Sequence, residues 1–440
     1  MVGSLNSIYK IPELRKRITF ILLMLVVYRV GGIIPVPGIN ATALLSYMSG
    51  LNNTLFGMYD MFVGGSFKRM TIFALGIMPY ISASIIIQLL GSVVPFFQRL
   101  SKEGEEGRKK ITQYTRYGTV FLSGAQAFGI AKWLENLQPV GNTPIVINPG
   151  IGFTLMVMIT IIAGTIFLMW LGEQMTEHGI GNGISLIIFA GIIARFPYAI
   201  RIQFQELRAG NMNIITLIVL FALMVAIIAA VVVLTQAQRR IRVQYPKKVV
   251  GRKIYGGQST YIPLRVNTAG VIPIIFAQAI MFIPNTVATF IPWEPLKFLQ
   301  TYFQMTHPVY WIFYGLLIVF FTFFYTAIVF NPVDLADNLK KYGAVIPQKP
   351  PGKKTAEHID KILTRITLPG SLFLALIAIM PYFMINIFKV SSELAQFFGG
   401  TGLLIVVGVA LDTLQQVEAK MVERHYEGLL KGSKLRGRRR

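Results

Sequence analysis

Long apolar runs alternate with short polar connectors along the chain. We count ten runs, each long enough for the roughly 20 residues that a helix needs to cross a bilayer. The runs occupy residues 18–36, 71–94, 117–134, 151–171, 183–200, 213–234, 268–291, 309–330, 366–388 and 400–417. Membrane-barrel strands instead show about ten residues of alternating hydrophobicity. The pattern therefore predicts an all-α polytopic membrane protein with ten transmembrane helices.

The basic residues are distributed unevenly over the connectors. The N-terminal tail and every second connector after it, together with the C-terminal tail, carry 33 of the 42 Lys and Arg residues. Short loops rich in Lys and Arg remain in the cytoplasm. We therefore expect both termini to be cytoplasmic. The net charge of +23 then lies on a face that attracts anionic lipid, RNA or an acidic protein partner.

The runs divide into two sets of five around the connector 201–212. Two halves with an odd number of spans have opposite orientations in the membrane, as in an inverted repeat, although we see no residue-level similarity between them. We predict an N-terminal half over 1–200, a hinge connector over 201–212, a C-terminal half over 213–417 and a basic cytoplasmic tail over 418–440.

Two cytoplasmic loops have unusual compositions. Residues 235–265 contain eight Lys and Arg residues, no acid and three tyrosines, whereas residues 331–365 are interrupted by Pro350-Pro351-Gly352 at their tip. Aromatic residues among basic ones are typical of docking surfaces. The alternative is that these charges only set the topology.

Residues 55–70 are apolar but too short and too interrupted to cross a bilayer. Gly64-Gly65 forms a flexible joint in this segment. The pattern fits a half-helix enclosed by protein, where irregular backbone is tolerated. Asp60, Lys68 and Arg69 leave a plain outer-surface loop as the alternative.

The chain lacks the sequence signatures of common catalytic sites. It has no cysteine, four scattered histidines, and no GxxxxGK[ST], HExxH or GxSxG motif. We predict no catalytic residue, no metal site and no cofactor. Inside the spans ionisable residues are nearly absent, with Arg29 and Asp412 the deepest, and this argues against an ion-coupled transporter, which needs buried polar sites. Gly and Pro are frequent there instead, which indicates a mobile path.

Several long motifs, in order along the chain, carry a resemblance to a known family. Residues 76–86 read Gly-Ile-Met-Pro-Tyr-Ile-Ser-Ala-Ser-Ile-Ile, residues 168–174 read Leu-Met-Trp-Leu-Gly-Glu-Gln, and residues 178–185 read His-Gly-Ile-Gly-Asn-Gly-Ile-Ser. Ala-Gly-Val-Ile-Pro follows at 269–273, Ala-Asp-Asn-Leu-Lys-Lys at 336–341 and Gly-Leu-Leu-Ile-Val-Val-Gly-Val-Ala-Leu-Asp at 402–412. With these motifs the chain resembles the SecY family, the pore-forming subunits of the bacterial Sec protein translocase.

This resemblance implies a fold and an activity. The expected fold is a clamshell of two pseudo-symmetric five-helix halves around a central pore, closed by a short plug helix at about 55–70. The expected activity is the passage of unfolded secretory polypeptides across the membrane and the release of apolar segments into lipid through a lateral gate.

The resemblance also assigns residues to the parts of the channel. The pore ring comprises Ile77, Ile81, Ile184, Ile188, Ile275 and Ile405. The plug includes Phe56, Met58, Met61, Phe62, Gly64 and Gly65. Lateral-gate positions are Ser82, Gln88 and Gln278. Each isoleucine taken alone is more often a packing or lipid-facing residue, so only the resemblance selects the ring.

Partners follow from the same resemblance. SecE and SecG are the expected small membrane subunits, and the SecA motor ATPase or a ribosome is expected to dock on loops 235–265 and 331–365. Precursor proteins are the expected substrates, and the bacterial cytoplasmic (inner) membrane is the expected location. The residues that we expect to contact partners are Arg239, Arg240, Arg242, Lys247, Lys248, Arg252, Lys253, Lys340, Lys341 and Lys349.

One position departs from the family pattern. Many relatives have Gly-Ile-Arg-Pro-Gly at the tip of the third cytoplasmic loop, where this chain has Gln348-Lys349-Pro350-Pro351-Gly352. Pro350 replaces the arginine, and the neighbouring Lys349 supplies a charge but not the bidentate fork of a guanidinium.

Two other functions are alternatives: a secondary transporter of a small solute, and a structural scaffold that binds ribosomes.

Overall fold

A computed structural model describes most of the chain. The described residues are 11–49, 55–137, 143–210, 213–245, 247–250, 253–256, 259–267, 270–290, 302, 307–388, 390, 392–397 and 399–432. By their contacts the residues form two compact units, Met1–Tyr198 with Ile405–Arg440, and Ala199–Leu404. Each unit is described separately below.

Helices predominate among the described residues. Those before the first strand are α1 (Pro12–Gly31), α2 (Ala41–Ser49), α3 (Leu55–Phe62), α4 (Met78–Val93), α5 (Pro95–Lys102), α6 (Glu105–Glu135), α7 (Ile151–His178), α8 (Gly183–Ile193), α9 (Phe196–Arg208) and α10 (Ile214–Gln236). Four strands follow: β1 (Gln238–Gln244), β2 (Lys247–Val250), β3 (Lys253–Gly256) and β4 (Ser259–Arg265). The remaining helices are α11 (Ile272–Phe290), α12 (Pro308–Val329), α13 (Pro332–Lys341), α14 (Lys353–Phe388), α15 (Ser392–Ala395) and α16 (Gly400–Gly432).

The all-α membrane fold predicted from the sequence is confirmed. A helix covers most of each of the ten apolar runs. Within the described residues, six helices are long and apolar enough to cross a membrane, or seven if α4 and α5 form one bent span. In the part of the chain that the structure describes, the strands form two short antiparallel ribbons, β1 with β4 and β2 with β3.

Two of the predicted runs begin or end differently in the structure. The run 71–94 starts with the β-bridge residue Thr71 and six residues of turn, and α4 begins only at Met78, with Pro79 in its first turn. Proline is tolerated there because the first backbone N–H groups of a helix have no partner within it. The run 183–200 is divided at Ala194–Arg195 into α8 and α9, and α9 continues into the connector 201–212.

The end of α4 carries a sharp bend. The axis turns by 97° between α4 and α5, at Pro95, whose ring cannot continue the preceding helix. The short helix α5 then lies close to α6. A methyl group added at Gly107 of α6 would lie 1.8 Å from the carbonyl oxygen of Leu100, so only glycine permits this approach.

Candidate functional site: plug segment and loop module

The segment that the sequence predicts as the plug lies within the first unit. We call residues 55–70 the plug segment: the helix α3 followed by turns up to Met70. Its end is hydrogen-bonded to the chain after α1, since Val36 N–H donates to the Met70 carbonyl (2.8 Å), and just beyond it Ile72 N–H donates to the Ile34 carbonyl (3.0 Å). Met61 and Phe62 are buried, whereas the side chains of Phe56 and Met58 lie outside the described residues.

The predicted glycine joint has two residues with left-handed backbone. Gly64 has φ +69° and Gly65 has φ +92°, conformations that side chains with a Cβ atom disfavour. Gly64 also lies against the backbone of Gly191 in α8. Neighbouring carbonyls accept two side-chain hydrogen bonds from α1, from Tyr28 Oη to Val63 (3.1 Å) and from Arg29 Nη1 to Gly64 (3.0 Å). The joint is therefore a fixed contact with α1 and α8.

Asp60 is the most unusual residue of the plug segment. Its side chain is fully buried, so the alternative of a plain outer-surface loop is wrong for this residue. Its Oδ1 accepts a hydrogen bond from the Lys68 backbone N–H (2.9 Å), and its Oδ2 accepts one from Arg195 Nη1 (2.8 Å). The Lys68 ammonium lies 3.8 Å from Oδ2. This ion pair was not predicted from the sequence, where the available signal was a single acid in an apolar segment.

The six isoleucines of the predicted pore ring divide between the two units. Ile77, Ile81, Ile184, Ile188 and Ile405 belong to the first unit and Ile275 to the second. Ile77, Ile188 and Ile405 are buried, and the other three are half-buried. Ile184 also packs against α7, because a methyl group added at Gly172 would lie 2.9 Å from its Cγ1. The ring itself stays a prediction.

The predicted lateral-gate residues have three different environments. Ser82 is half-buried on α4, and Gln88 is exposed on the same helix, with its Nε2 3.5 Å from Ser84 Oγ. Gln278 is buried on α11 in the second unit. Their grouping as a gate also stays a prediction.

The two long basic loops pack against each other in the second unit. The ribbon of β1 and β4 aligns Gln238 with Arg265 and Gln244 with Ser259, and Gln244 forms a further bridge with Val345 of the other loop. A shared apolar core comprises Ile241, Val243, Leu264, Leu339, Ala344, Ile346, Ile359 and Leu363. We call β1, β4, α13, the turn 342–352 and the first three turns of α14 the loop module.

Strand alternation places arginines on the outside of the loop module. Ile241 and Val243 point into the core, so Arg240 and Arg242, which alternate with them, lie on the opposite face of β1. Arg239 is exposed at the start of the same strand. Lys340 and Lys341 are exposed in the last turn of α13, where cations are favoured by the helix dipole. These five predicted contact residues therefore share one folded support.

The other predicted contact residues are less fully described. Lys247, Lys248 and Lys253 lie in the β2–β3 ribbon, where only their backbone is described, and Arg252 lies outside the described residues. Lys349 is exposed in the tip of loop 331–365. The carbonyl of the next residue, Pro350, accepts a hydrogen bond from Thr355 Oγ1 (2.7 Å).

The Gly-Ile-Gly-Asn-Gly motif forms a turn between α7 and α8. Asn182 caps α8, since its side-chain oxygen accepts from the N–H groups of Ile184 (3.0 Å) and Ser185 (3.2 Å). The turn is also held from two other helices, by Arg17 Nη1 to the Gly179 carbonyl (3.1 Å) and by Gln416 Oε1 accepting from Gly181 N–H (2.9 Å). The motif is therefore a structural turn at the head of α8.

The fold and these sites define a polytopic α-helical membrane protein with an enclosed plug segment and a basic loop module. Residues 71–414 match the model of the SecY family, and the chain belongs to this family. It is 48% identical over 429 residues to "Protein translocase subunit SecY" of Escherichia coli strain K12, covering 97% of this chain and 96% of that protein. It is 45% identical to the same subunit of Aquifex aeolicus, covering 97% and 99%. The solved structure titled "The structure of a protein conducting channel" has a TM-score of 0.63 at 18% identity, over 92% of both chains.

Proposed function

We propose that this chain is the protein-conducting channel of a bacterial translocase. It passes unfolded secretory polypeptides across the cytoplasmic membrane, and it releases apolar segments sideways into lipid. The observation that carries the proposal is the agreement, over nearly the whole chain, with relatives named as protein translocase subunits. The enclosed plug segment and the basic loop module support it.

The pore ring is the element of this proposal that blocks ions. Branched aliphatic side chains offer no polar partner to water, so a narrow ring of them dewets and prevents conduction. The six isoleucines yield to an extended polypeptide through rotamer changes that break no hydrogen bonds. The ring thereby closes around the passing chain while ions remain excluded.

Lateral release follows from the solvation of the passing segment. A stretch of roughly 20 apolar residues is better solvated by lipid than by an aqueous pore. Ser82, Gln88 and Gln278 are the proposed gate positions beside this exit. Charged stretches stay in the pore and continue across the membrane.

The driving force comes from partners, and we propose no catalytic role for this chain. SecA or a translating ribosome docks on the loop module and on the β2–β3 ribbon, with both chain termini on the same cytoplasmic side. SecE and SecG complete the membrane complex. The exposed arginines of β1 support this assignment because guanidinium groups attract RNA phosphates through charge, an attraction that falls steeply with salt.

Reconstitution tests the channel function directly. Proteoliposomes that contain the chain with SecE and SecG are incubated with SecA, ATP and a radiolabelled secretory precursor. We expect a protease-protected precursor only when ATP and SecA are present. Absence of protection, combined with uptake of a small solute driven by an ion gradient, would instead favour the transporter alternative.

A conductance measurement tests the ring assignment separately. We expect the triple substitution Ile77→Gly, Ile184→Gly and Ile405→Gly to make the resting channel leak small ions in planar bilayers. The matched control replaces the exposed Ile159, Ile215 and Ile218 with glycine, which removes the same side chains from outward-facing positions. Equal conductance in the two triple variants would refute the ring.

A further inference from the structure

The Asp60 ion pair is the feature of the first unit that the proposed function leaves unexplained. Asp60 is 0% exposed, and the side chains of both its cationic partners, Lys68 and Arg195, are 15% exposed. Lys68 belongs to the plug segment itself. Arg195 does not: it lies at the break between α8 and α9. The contact between Asp60 and Arg195 therefore joins the plug segment to a helix end outside it.

Burial of a carboxylate has a large cost in free energy unless the charge is paired and hydrogen-bonded. Asp60 meets this condition in the position that the structure shows, with one hydrogen bond to each of its oxygens and the Lys68 ammonium 3.8 Å from Oδ2. The apolar plug side chains Met61 and Phe62 do not require one particular position, because hydrophobic burial has no preferred direction. The charge thus specifies one position of the segment, whereas the apolar side chains favour burial in general.

We propose that Asp60 is a positioning residue of the channel and that its pairing with Arg195 sets how readily the plug segment leaves its closed position. The inference rests on the proposed channel function. When the segment moves into an aqueous path, both charges regain water, and this hydration offsets most of the lost attraction. The pair therefore gives a closed position that is specific and still reversible.

Unequal effects are expected when the two partners are removed one at a time. Arg195→Ala leaves a buried carboxylate with only the Lys68 groups beside it, and such an uncompensated charge favours the hydrated, displaced position. Asp60→Asn keeps a hydrogen-bond acceptor of the same size and leaves Arg195 able to reach water. We expect Arg195→Ala to have the larger effect and the double variant Asp60→Asn/Arg195→Ala to resemble Asp60→Asn alone.

The test measures the position of the plug in a chain that naturally has no cysteine. Met61, which is 4% exposed, is replaced by cysteine as a single reporter for a membrane-impermeant maleimide. In reconstituted complexes we expect Arg195→Ala to raise both the labelling rate and the resting ion conductance by about 10-fold. This increase is smaller than we would expect for a fully buried pair, because Arg195 is partly exposed. Lys68→Ala is expected to act in the same direction but less, because its ammonium is more distant.

The matched control is a second Arg–carboxylate pair in the same unit. Arg116 and Glu173 lie 2.7 Å apart between α6 and α7. We expect Arg116→Ala to leave labelling and conductance unchanged. An equal increase in both arginine variants would overturn the proposal, because the effect would then be general destabilisation.

The remaining outcomes separate the inference from the proposed function. If the unsubstituted complex does not translocate precursor, the channel function fails. If it does translocate and Arg195→Ala changes neither readout, only the role of Asp60 is overturned. If Arg195→Ala does not assemble in membranes, Lys68→Ala and the double variant decide instead. Faster labelling in Lys68→Ala, together with a double variant that labels like Asp60→Asn, supports the proposal. Unchanged labelling in Lys68→Ala overturns it.

Discussion

Gln244 and Val345 exchange two backbone hydrogen bonds, one in each direction and both 2.9 Å long. The two residues belong to different loops, and the bonds extend the β1–β4 ribbon across to the chain after α13. The loops that carry most of the predicted partner contacts are thus parts of one folded module. A change in the core of one loop is expected to alter the surface of the other.

Removal of a core side chain should loosen the whole loop module. Ile359 is fully buried in the core, and truncation of a buried isoleucine to alanine has a cost of about 2–5 kcal/mol. We expect Ile359→Ala to lower the hydrogen-exchange protection of β1 amides as well as of α14 amides. The control Val333→Ala removes an exposed side chain of α13 and should leave protection unchanged. Loss of protection confined to α14 would contradict the shared core.

Neutralising the outer face of β1 should weaken binding to ribosomes in a salt-dependent manner. We expect Arg240→Ala with Arg242→Ala to reduce the slope of log affinity against log salt by about 2, since each phosphate contact contributes about 1. The control pair Arg201→Ala and Arg208→Ala, both exposed on α9, removes the same charge outside the module. Equal slopes for the two double variants would mean that only net charge matters.

The two glycines of the plug joint should differ in their tolerance of alanine. Both have positive φ, so each substitution has a backbone cost on the order of 1–2 kcal/mol. At Gly64 the new methyl would also lie 3.0 Å from the Cα of Gly191, whereas at Gly65 nothing lies within 4 Å. We therefore expect Gly64→Ala to raise maleimide labelling of Met61→Cys more than Gly65→Ala does. The reverse order would show that the contact with α8 does not hold the segment.

Glu135 at the end of α6 should make the start of α7 sensitive to acid. A hydrogen bond from Lys132 Nζ (2.7 Å) lowers the pKa of Glu135, and bonds from Gly150 N–H and Thr154 Oγ1 (both 3.1 Å) act in the same direction. A lowered pKa in the folded state stabilises the protein above the usual Glu pKa, and this stabilisation is lost as pH falls through the lowered value.

The measurement for Glu135 follows thermal unfolding by the fluorescence of the nearby Trp133, in a protein whose other three tryptophans are replaced by phenylalanine. We expect the unfolding temperature to fall between pH 7 and pH 3, and Glu135→Gln to reduce the size of this fall. Glu106→Gln, in the exposed first turn of α6, is the control and should retain the full fall. Identical pH profiles for all three proteins would contradict the predicted contribution.

The helices could be predicted from the sequence because apolar periodicity and length are local properties. The first residue of a helix is harder to predict where the backbone makes a turn. Gly76 has φ +56°, and α4 begins two residues later, although the turns before it are as apolar as the helix. The ribbon of β1 and β4 was missed because only Ile241 and Val243 alternate with arginines, too short a pattern to identify a strand.

The resemblance indicates where the candidate site lies, but it does not indicate the long-range contacts that hold its parts. Asp60 and Arg195 are far apart in the sequence, and nothing near either residue indicates the other. The same holds for Gln244 and Val345, whose pairing involves only backbone groups and leaves no side-chain pattern. Long-range pairing of this kind depends on how elements pack, which a single sequence does not display.

The 97° bend between α4 and α5 has a consequence for the depth of α4 in the bilayer. A helix perpendicular to a membrane span lies along the headgroup layer, where we expect the exposed cations Arg99 and Lys102 of α5. Their apolar stems and charged heads favour the interface over the apolar core. Movement of α4 along the membrane normal would carry these cations out of the interface. We therefore expect α4 to keep its depth in the bilayer when the lipid thickness changes, while other helices tilt.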